Sequence, residues 1–405
     1  MSGPPVPADF APPPTADDVA GWESADRAAR PTRVAGLRQR MAREGVDAYF
    51  GLRRENTRYL TGFALDDGEE KVAGDSGRFL ISADEVVVLA DSRYTIQAER
   101  ECPGARIAFA YRDLPSRWAD LAASVGARRI AVEAVSIPHA LWLELAEAAP
   151  DVELVAVEGW VEELRATKEP TEIERIAAAC AVVDRALAGL LPAIRPGRTE
   201  RELALELEWA IRTGGAEALA FPVTVLAGPE AALPHGSPGD RPVRRGEVLL
   251  FDVGAQVAGY RSDMTRTLFV GAPSARDLDI HDLVGRAQDA AIDALERCVR
   301  DGERPTGHAV DAIARAVIEE AGLGDHFGHG LGHGIGLATH ELPSLSRTAP
   351  EDAVLPAPSV FSVEPGVYIA GETGVRIEDL VHFDPAAGRL EHLTLFQREP
   401  LIVGN

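Results

Sequence analysis

Apolar positions in the first 160 residues alternate between helical and strand-like spacing. Val34, Leu37 and Met41 recur at helical intervals, and this stretch stops at Gly45 before a short strand-like segment at 47–50. Further apolar runs predict strands at 78–82, 85–90, 129–133 and 153–157, with helices at 94–101 and from about 137 onwards. Alternating strands and helices predict an α/β domain with a mixed sheet.

Two similar helix pairs are predicted in the rest of the chain, beyond a domain boundary near residues 160–168. A long apolar stripe begins after Pro170, and Thr199 with Glu202 forms a capping box for the next helix. Thr306 opens a comparable helix that closes near Gly322. We interpret the two helix pairs as an internal pseudo-repeat, which can place an active site between its halves.

Composition and charge exclude several classes of protein. The chain has 41 Lys and Arg against 64 Asp and Glu, a net charge of −23, which is the wrong sign for nucleic-acid binding. No apolar run reaches the roughly 18 to 20 residues that span a bilayer, so we expect no membrane association. Three cysteines without a CxxC pair indicate reduced thiols and a cytoplasmic protein. The proline-rich residues 1–20 lack the features of a signal peptide and predict a disordered arm.

Two aspartates lie in a predicted antiparallel hairpin at 247–270. Asp252 follows the apolar run 248–251, where an unpaired carboxylate would be costly to bury, and Asp263 could approach it from the returning strand. Taken alone, the pair is a weak signal that fits turn capping or surface charge better.

Four of the ten histidines lie between residues 326 and 340. His329 and His333 are separated by four residues within a glycine-rich run, and His340 follows. Glycine allows close approach of the backbone to a ligand, and imidazole is a common metal ligand and proton carrier. The run lacks the Gly-Lys-Ser/Thr ending of a phosphate-binding loop.

Two further acidic residues end β-like runs near the C-terminus. Glu364 follows the run 360–363, and strand periodicity places Arg376 and Glu378 on one face of another strand. The four carboxylates would be neutralised by two divalent cations, with His333 as nitrogen ligand. Such an oxygen-rich set favours Mn²⁺ or Co²⁺ over structural Zn²⁺ and suits hydrolytic chemistry, with His235, His329 and His340 as proton carriers or donors to an intermediate.

These motifs closely resemble the pita-bread metallopeptidases. The resemblance rests on Asp252 and Asp263 with the following Thr-Arg-Thr, His329-Gly-Leu-Gly-His333, Glu364-Pro-Gly and Arg376-Ile-Glu378, and it covers about residues 30 to 400. Within the family the chain is similar to the proline-specific branch, aminopeptidase P and prolidase. This resemblance implies a creatinase-like N-terminal α/β domain at 21–160 and a pita-bread catalytic domain at 161–405. The fold class that it implies is mixed α/β (α+β).

The resemblance also implies roles for individual residues. Asp252 would hold one metal, Asp263 and Glu378 would bridge two, and His333 and Glu364 would complete the site; Mn²⁺ is expected, with Co²⁺ or Zn²⁺ as alternatives. His235, His329 and His340 would contact substrate or transition state, Arg376 would lie near both substrate and metal site, and Glu364 would carry protons. The implied substrates are small peptides with proline at the second position, and a homodimer is implied.

The acidic loop 66–75 departs from the shorter turn expected of many relatives, which leaves dipeptide or longer-peptide preference open. Two other functions remain as alternatives: a creatinase-like C–N hydrolase that uses no metal, and a non-catalytic peptide-binding module. Intact ligand positions disfavour both.

Overall fold

The computed structural model describes residues 10–65 and 74–404, and its contacts divide the chain into two compact units. One unit is Glu23–Arg165; the other consists of the chain up to Trp22 and the chain from Ala166 onwards. Residues 1–9 of the predicted arm and 66–73 of the acidic loop lie outside the described residues.

Helices and strands alternate along the chain as far as residue 166. The helices are α1 (Ala16–Glu44), α2 (Arg54–Thr61), α3 (Thr95–Glu101), α4 (Leu114–Ser124), α5 (His139–Ala148) and α6 (Trp160–Ala166). The strands are β1 (Ala48–Gly51), β2 (Phe79–Ser82), β3 (Val86–Ala90), β4 (Arg106–Phe109), β5 (Arg129–Glu133) and β6 (Glu153–Val157).

These strands form one mixed sheet in the order β4-β3-β2-β1-β5-β6. β1 pairs with β2 in antiparallel register and with β5 in parallel register, which confirms the predicted α/β class. Buried side chains such as Phe50, Leu80 and Trp118 form the core beside the sheet. Sequence patterning missed the edge strand β4, whose side chains are only partly buried or exposed.

α1 begins earlier than expected, so residues 16–20 are helical and not part of an arm. Thr15 and Asp18 supply the reason. The Thr15 hydroxyl accepts a hydrogen bond from the Asp18 amide at 3.2 Å, and the Asp18 carboxylate accepts one from the Thr15 amide at 2.8 Å. This reciprocal capping satisfies backbone groups at the start of the helix and ends the proline-rich stretch.

The chain beyond residue 166 is richer in strands. Its helices are α7 (Pro170–Leu190), α8 (Glu200–Thr213), α9 (Ala275–Asp301) and α10 (Gly307–Glu320). Its strands are β7 (Ala218–Leu219), β8 (Thr224–Ala227), β9 (Val248–Val253), β10 (Ala255–Val257), β11 (Tyr260–Arg261), β12 (Met264–Val270), β13 (Gly332–Gly334), β14 (Glu341–Leu345), β15 (Ser359–Val363), β16 (Gly366–Ile369), β17 (Thr373–Arg376), β18 (Asp379–Asp384), β19 (Arg389–His392) and β20 (Ile402–Val403).

The predicted pseudo-repeat is visible in this unit. α8 and α10 are both 14 residues long, and the hydroxyls of Thr199 and Thr306 accept hydrogen bonds from the third amide of each helix. Each capping threonine also forms an isolated antiparallel bridge, Thr199 with Pro242 and Thr306 with Val354. The first helix pair packs with a four-stranded sheet, in the order β20-β12-β9-β8. The second helix pair packs with a five-stranded sheet, in the order β14-β13-β15-β18-β19.

Each half has its own apolar core. α7 and α8 pack with β9 and β12, and α9 and α10 pack with β15 and β18. By length and composition alone, α7 with the short turn that follows it would be able to cross a membrane, contrary to our expectation from the apolar runs. Its apolar face lies in the first of these cores, through Val183, Leu187 and Leu190 among others.

Candidate active site

Strand ends place the predicted acidic side chains. β9 and β12 pair in antiparallel register with Asp252 opposite Thr265, and Asp263 directly precedes β12. Glu364 directly follows β15, and its amide donates to the Leu331 carbonyl at 2.8 Å. Glu378 lies between β17 and β18, where its amide donates to the Thr265 carbonyl at 3.1 Å. The backbone hydrogen bond between Glu378 and Thr265 therefore joins the two halves of the repeat beside these carboxylates.

All the site residues proposed from the sequence line a single cavity of about 530 Å³. They are His235, Asp252, Asp263, His329, His333, His340, Glu364, Arg376 and Glu378. This volume lies within the range of small-molecule binding sites. The structure thus brings together residues that are up to 143 positions apart in sequence, from 235 to 378.

The middle of the cluster has the geometry of a metal-binding group. Asp263, His333 and Glu378 each offer a ligand atom, and these atoms lie within 4.8 Å of one another. The Nε2 atom of His333 also lies 3.2 Å from Oε1 of Glu364 and 3.8 Å from Oδ2 of Asp263. Carboxylate oxygens with one imidazole are a donor set suited to Mn²⁺-like cations.

The guanidinium of Arg376 contacts the acidic cluster from one side. Arg376 Nη2 donates to Asp252 at 2.5 Å, Nε donates to the Thr265 hydroxyl at 2.8 Å, and Nη1 donates to the Tyr368 hydroxyl at 2.9 Å. The Thr265 hydroxyl in turn donates to Oε2 of Glu378 at 2.8 Å. Arg376 is therefore held in a single orientation, with its charge directed at Asp252.

The pKa shifts reflect crowded, buried carboxylates. Burial raises the pKa of Asp263 and of Glu378 well above their ordinary values, and repulsion from neighbouring carboxylates adds to it. Burial also opposes ionisation of Glu364, but its hydrogen bond and charge interaction with His333 lower the pKa of Glu364 to about 2. Burial opposes the protonation of His333, and the same pair with Glu364 raises the pKa of His333 to about 9.

Glu378 provides a direct test of whether a cation fits. Its Oε1 atom is buried and has no hydrogen-bond partner among the residues described. A buried carboxylate oxygen without a partner is costly, and a cation beside it would remove that cost. The four carboxylates supply negative charge and His333 supplies an imidazole nitrogen, and together they fit a divalent metal site.

His329 is fixed at both ring nitrogens. Nδ1 lies 2.7 Å from the Gly330 carbonyl, and Nε2 lies 2.9 Å from the Tyr368 hydroxyl. A carbonyl accepts only, so Nδ1 carries the proton and Nε2 accepts from Tyr368. The Tyr368 hydroxyl has room because residue 366 is a glycine; a Cβ at that position would lie 2.6 Å from the hydroxyl oxygen. Tyr368 therefore connects His329 to Arg376.

The loop that carries His329 is held by a buried ion pair on α10. Arg315 Nε and Nη2 each donate to Asp311 at 2.8 Å, and Arg315 donates also to the carbonyls of Phe327 and His329 at 2.9 and 2.7 Å. Asp311 Oδ1 accepts from the Leu331 amide at 2.9 Å. Three hydrogen bonds from this ion pair thus fix the backbone from residue 327 to 331.

His340 and His235 occupy less constrained positions. The His340 ring centroid lies 4.2 Å from that of His333, and neither His340 nor His235 makes a hydrogen bond within the described ranges 10–65 and 74–404. Burial, followed by the charge of His333, lowers the pKa of His340. Both rings keep nitrogens available to the cavity.

Comparison with known proteins decides the family. The model described as "Metallopeptidase family M24" matches residues 174–385, and the model described as "Creatinase/Prolidase N-terminal domain" matches residues 33–167. The chain belongs to metallopeptidase family M24. The predicted combination of a creatinase-like N-terminal domain with a pita-bread catalytic domain is thereby confirmed, and membership of M24 implies divalent metal ions.

Relatives of this M24 chain cover most of its length. The uncharacterized peptidase YqhT of Bacillus subtilis is 35% identical over 347 residues, which are 86% of this chain and 94% of the relative. A solved structure described as Xaa-Pro dipeptidase from Bacillus anthracis has a TM-score of 0.82 and 31% identity, covering 92% of this chain and 100% of that one. A solved X-Pro aminopeptidase from Thermotoga maritima has a TM-score of 0.79 and 33% identity, covering 91% and 99%.

Sequence reasoning missed three supporting residues of the site. Tyr368 and Thr265 carry the hydrogen bonds between the carboxylates, Arg376 and His329, and Asp311 fixes the histidine loop. Thr265 lies inside the Thr-Arg-Thr motif that follows Asp263, and Tyr368 lies two residues beyond Glu364-Pro-Gly. The Asp311–Arg315 spacing is visible on the helix, but its burial is not.

Proposed function

We propose that this M24 metallopeptidase hydrolyses the peptide bond between an N-terminal residue and a proline at the second position of small peptides. The observation that carries the proposal is the convergence of four carboxylates, two of them buried, with His333 and Arg376 in one cavity. Support for proline specificity comes from the solved relatives described as Xaa-Pro dipeptidase and X-Pro aminopeptidase, which align with nearly the whole chain.

Five residues would hold two divalent cations in this proposal: Asp252, Asp263, His333, Glu364 and Glu378. We propose Mn²⁺, because the donors are mainly carboxylate oxygens with one imidazole; Co²⁺ and Zn²⁺ are the alternatives. Bound ions of this kind polarise a carbonyl and lower the pKa of water, which is the chemistry that peptide hydrolysis needs.

The remaining side chains would position and transfer protons. Arg376 orients Asp252 through its 2.5 Å contact, and its charge opposes the rise in the pKa of Asp252 that burial causes. Glu364, at the end of β15, would transfer a proton to the leaving amine. His340 and His235 would donate hydrogen bonds to the substrate, whereas His329 would first have to release Tyr368 or Gly330.

We also propose a cytoplasmic homodimer. Free cysteines Cys102, Cys180 and Cys298 support a reducing compartment. The dimer rests on the family resemblance, and light scattering should give twice the chain mass of 43.2 kDa; a monomer would contradict it.

The function can be tested with a matched pair of tripeptides, Ala-Pro-Ala and Ala-Ala-Ala. Full-length protein is depleted of metal and then supplied with Mn²⁺. We expect release of alanine from Ala-Pro-Ala only, and only after Mn²⁺ is restored. Equal hydrolysis of both peptides would contradict proline specificity, and hydrolysis of neither tripeptide nor of the dipeptide Ala-Pro would contradict the peptidase assignment.

Variants test the roles of individual residues in the same assay. Asp263→Asn should lose both bound metal and turnover, whereas His329→Ala should keep its metal and lose turnover. The matched control Asp282→Asn changes an exposed aspartate of α9 and should change neither property.

A further inference from the structure

A row of hydroxyl groups leads from β14 along one wall of the cavity. The hydroxyls of Ser344 and Ser346 lie 3.1 Å apart, and those of Ser346 and Thr348 lie 3.0 Å apart. Leu345, between the serines, is fully buried on the opposite face. Ser344 and Ser346 both line the cavity that holds the acidic cluster.

Positive charge is scarce in the same cavity. Among the described residues that line it, Arg376 is the only lysine or arginine, and its guanidinium is already bonded to Asp252, Thr265 and Tyr368. Two divalent cations would balance the four carboxylates. Neither source leaves a permanent positive charge for a second anionic group.

The free carboxylate of an Xaa-Pro dipeptide would find no positively charged partner on this wall. It is attached to the proline itself, one residue from the bond to be cleaved, so it must enter the cavity. An ionised group that leaves water without a charged partner is disfavoured. A serine hydroxyl can donate to a carbonyl and accept from an amide, which suits the neutral backbone of a continuing peptide.

We propose that the enzyme prefers substrates in which proline is followed by at least one more residue, with the backbone beyond proline lying along Ser344 and Ser346. This inference rests on the proposed Xaa-Pro cleavage and specifies its substrate class: peptides of three residues or more. The hydroxyl row then acts as the binding surface for the part of the peptide that follows the cleaved bond.

A series of three substrates separates charge from length. Ala-Pro, Ala-Pro-amide and Ala-Pro-Ala are compared by kcat/KM with the Mn²⁺-loaded full-length protein. The amide has the size of the dipeptide without its negative charge. We expect the amide and the tripeptide to exceed the dipeptide by about tenfold or more.

Each outcome of this series has a distinct meaning. A dipeptide that is cleaved as well as the amide would overturn the inference and leave Xaa-Pro cleavage intact. Cleavage of none of the three would instead contradict the proposed function.

Substitutions in the wall locate the effect. Ser344→Arg introduces a cation at an exposed position that lines the cavity, and it should raise the ratio of dipeptide to amide kcat/KM by about tenfold. An unchanged ratio would show that the carboxylate lies elsewhere. Ser346→Ala should lower the advantage of the tripeptide over the amide, and an unchanged advantage would count against the hydroxyl row.

Arg347→Gln is the matched control, because Arg347 is exposed and lies outside the cavity lining. We expect the three substrates to keep their order in this variant. If the variant lost dipeptide hydrolysis alone, a cation would already serve the carboxylate, and the inference would be wrong.

Discussion

The Asp311–Arg315 pair offers a quantitative test of how the histidine loop is built. The Asp311 side chain is 1% exposed and that of Arg315 is 8% exposed. Asp311→Ala removes three hydrogen bonds, two from the guanidinium and one from the Leu331 amide. Arg315 keeps its contacts with two carbonyls, but its charge loses its partner. Breaking such a buried pair costs about 3–5 kcal/mol.

The chain contains a matched control for this substitution. Asp282 and Arg286 on α9 have the same i, i+4 spacing with a 3.0 Å contact, but their side chains are 71% and 60% exposed. Asp282→Ala should therefore cost less than about 0.5 kcal/mol. Urea unfolding of both variants and the wild-type protein measures the difference, with turnover measured in parallel. Equal stability losses in the two variants would refute the role assigned to burial.

Three further predictions concern single side chains. Tyr368→Phe should lower kcat by about 10- to 100-fold, because the hydroxyl orients both His329 and Arg376. Mass spectrometry should show an unchanged metal content, and full turnover would contradict the prediction. Burial lowers the pKa of His281 from 6.5 to about 4, so its contribution to stability is complete above pH 6.5 and is lost as pH falls towards 4, by about 3 kcal/mol. His281→Leu should flatten the unfolding free energy in that window, and an unchanged pH slope would count against it. His329→Ala should retain its metal, and loss of metal would place His329 among the ligands.

The sequence predicts the acidic part of the site well for a physical reason. Asp252 and Glu364 each occur at the end of an apolar β run, where a carboxylate is unexpected unless it has a partner. The glycine-rich run around His333 carries a similarly strong local signal. These patterns identify the residues without showing the distances between them.

The connecting hydrogen bonds could not be predicted from local patterns. Tyr368 meets His329 only because the β16–β17 hairpin and the histidine loop come together in the fold. Edge strand β4 was missed although β6, at the other edge of the same sheet and comparably exposed, was predicted, so burial alone does not account for the difference. The predicted start of α1 was too late, because the proline-rich composition was extended to residue 20 and the capping pair of Thr15 and Asp18 was not considered.

The measurement that tests the central claim most directly is a calorimetric titration of metal-depleted protein with Mn²⁺. A dinuclear centre predicts two ions per chain in the wild-type protein and fewer in Glu378→Gln, which alters the buried carboxylate oxygen that lacks a partner. Absence of binding, or an unchanged stoichiometry of two in Glu378→Gln, would contradict the assignment of this acidic cluster as the metal site.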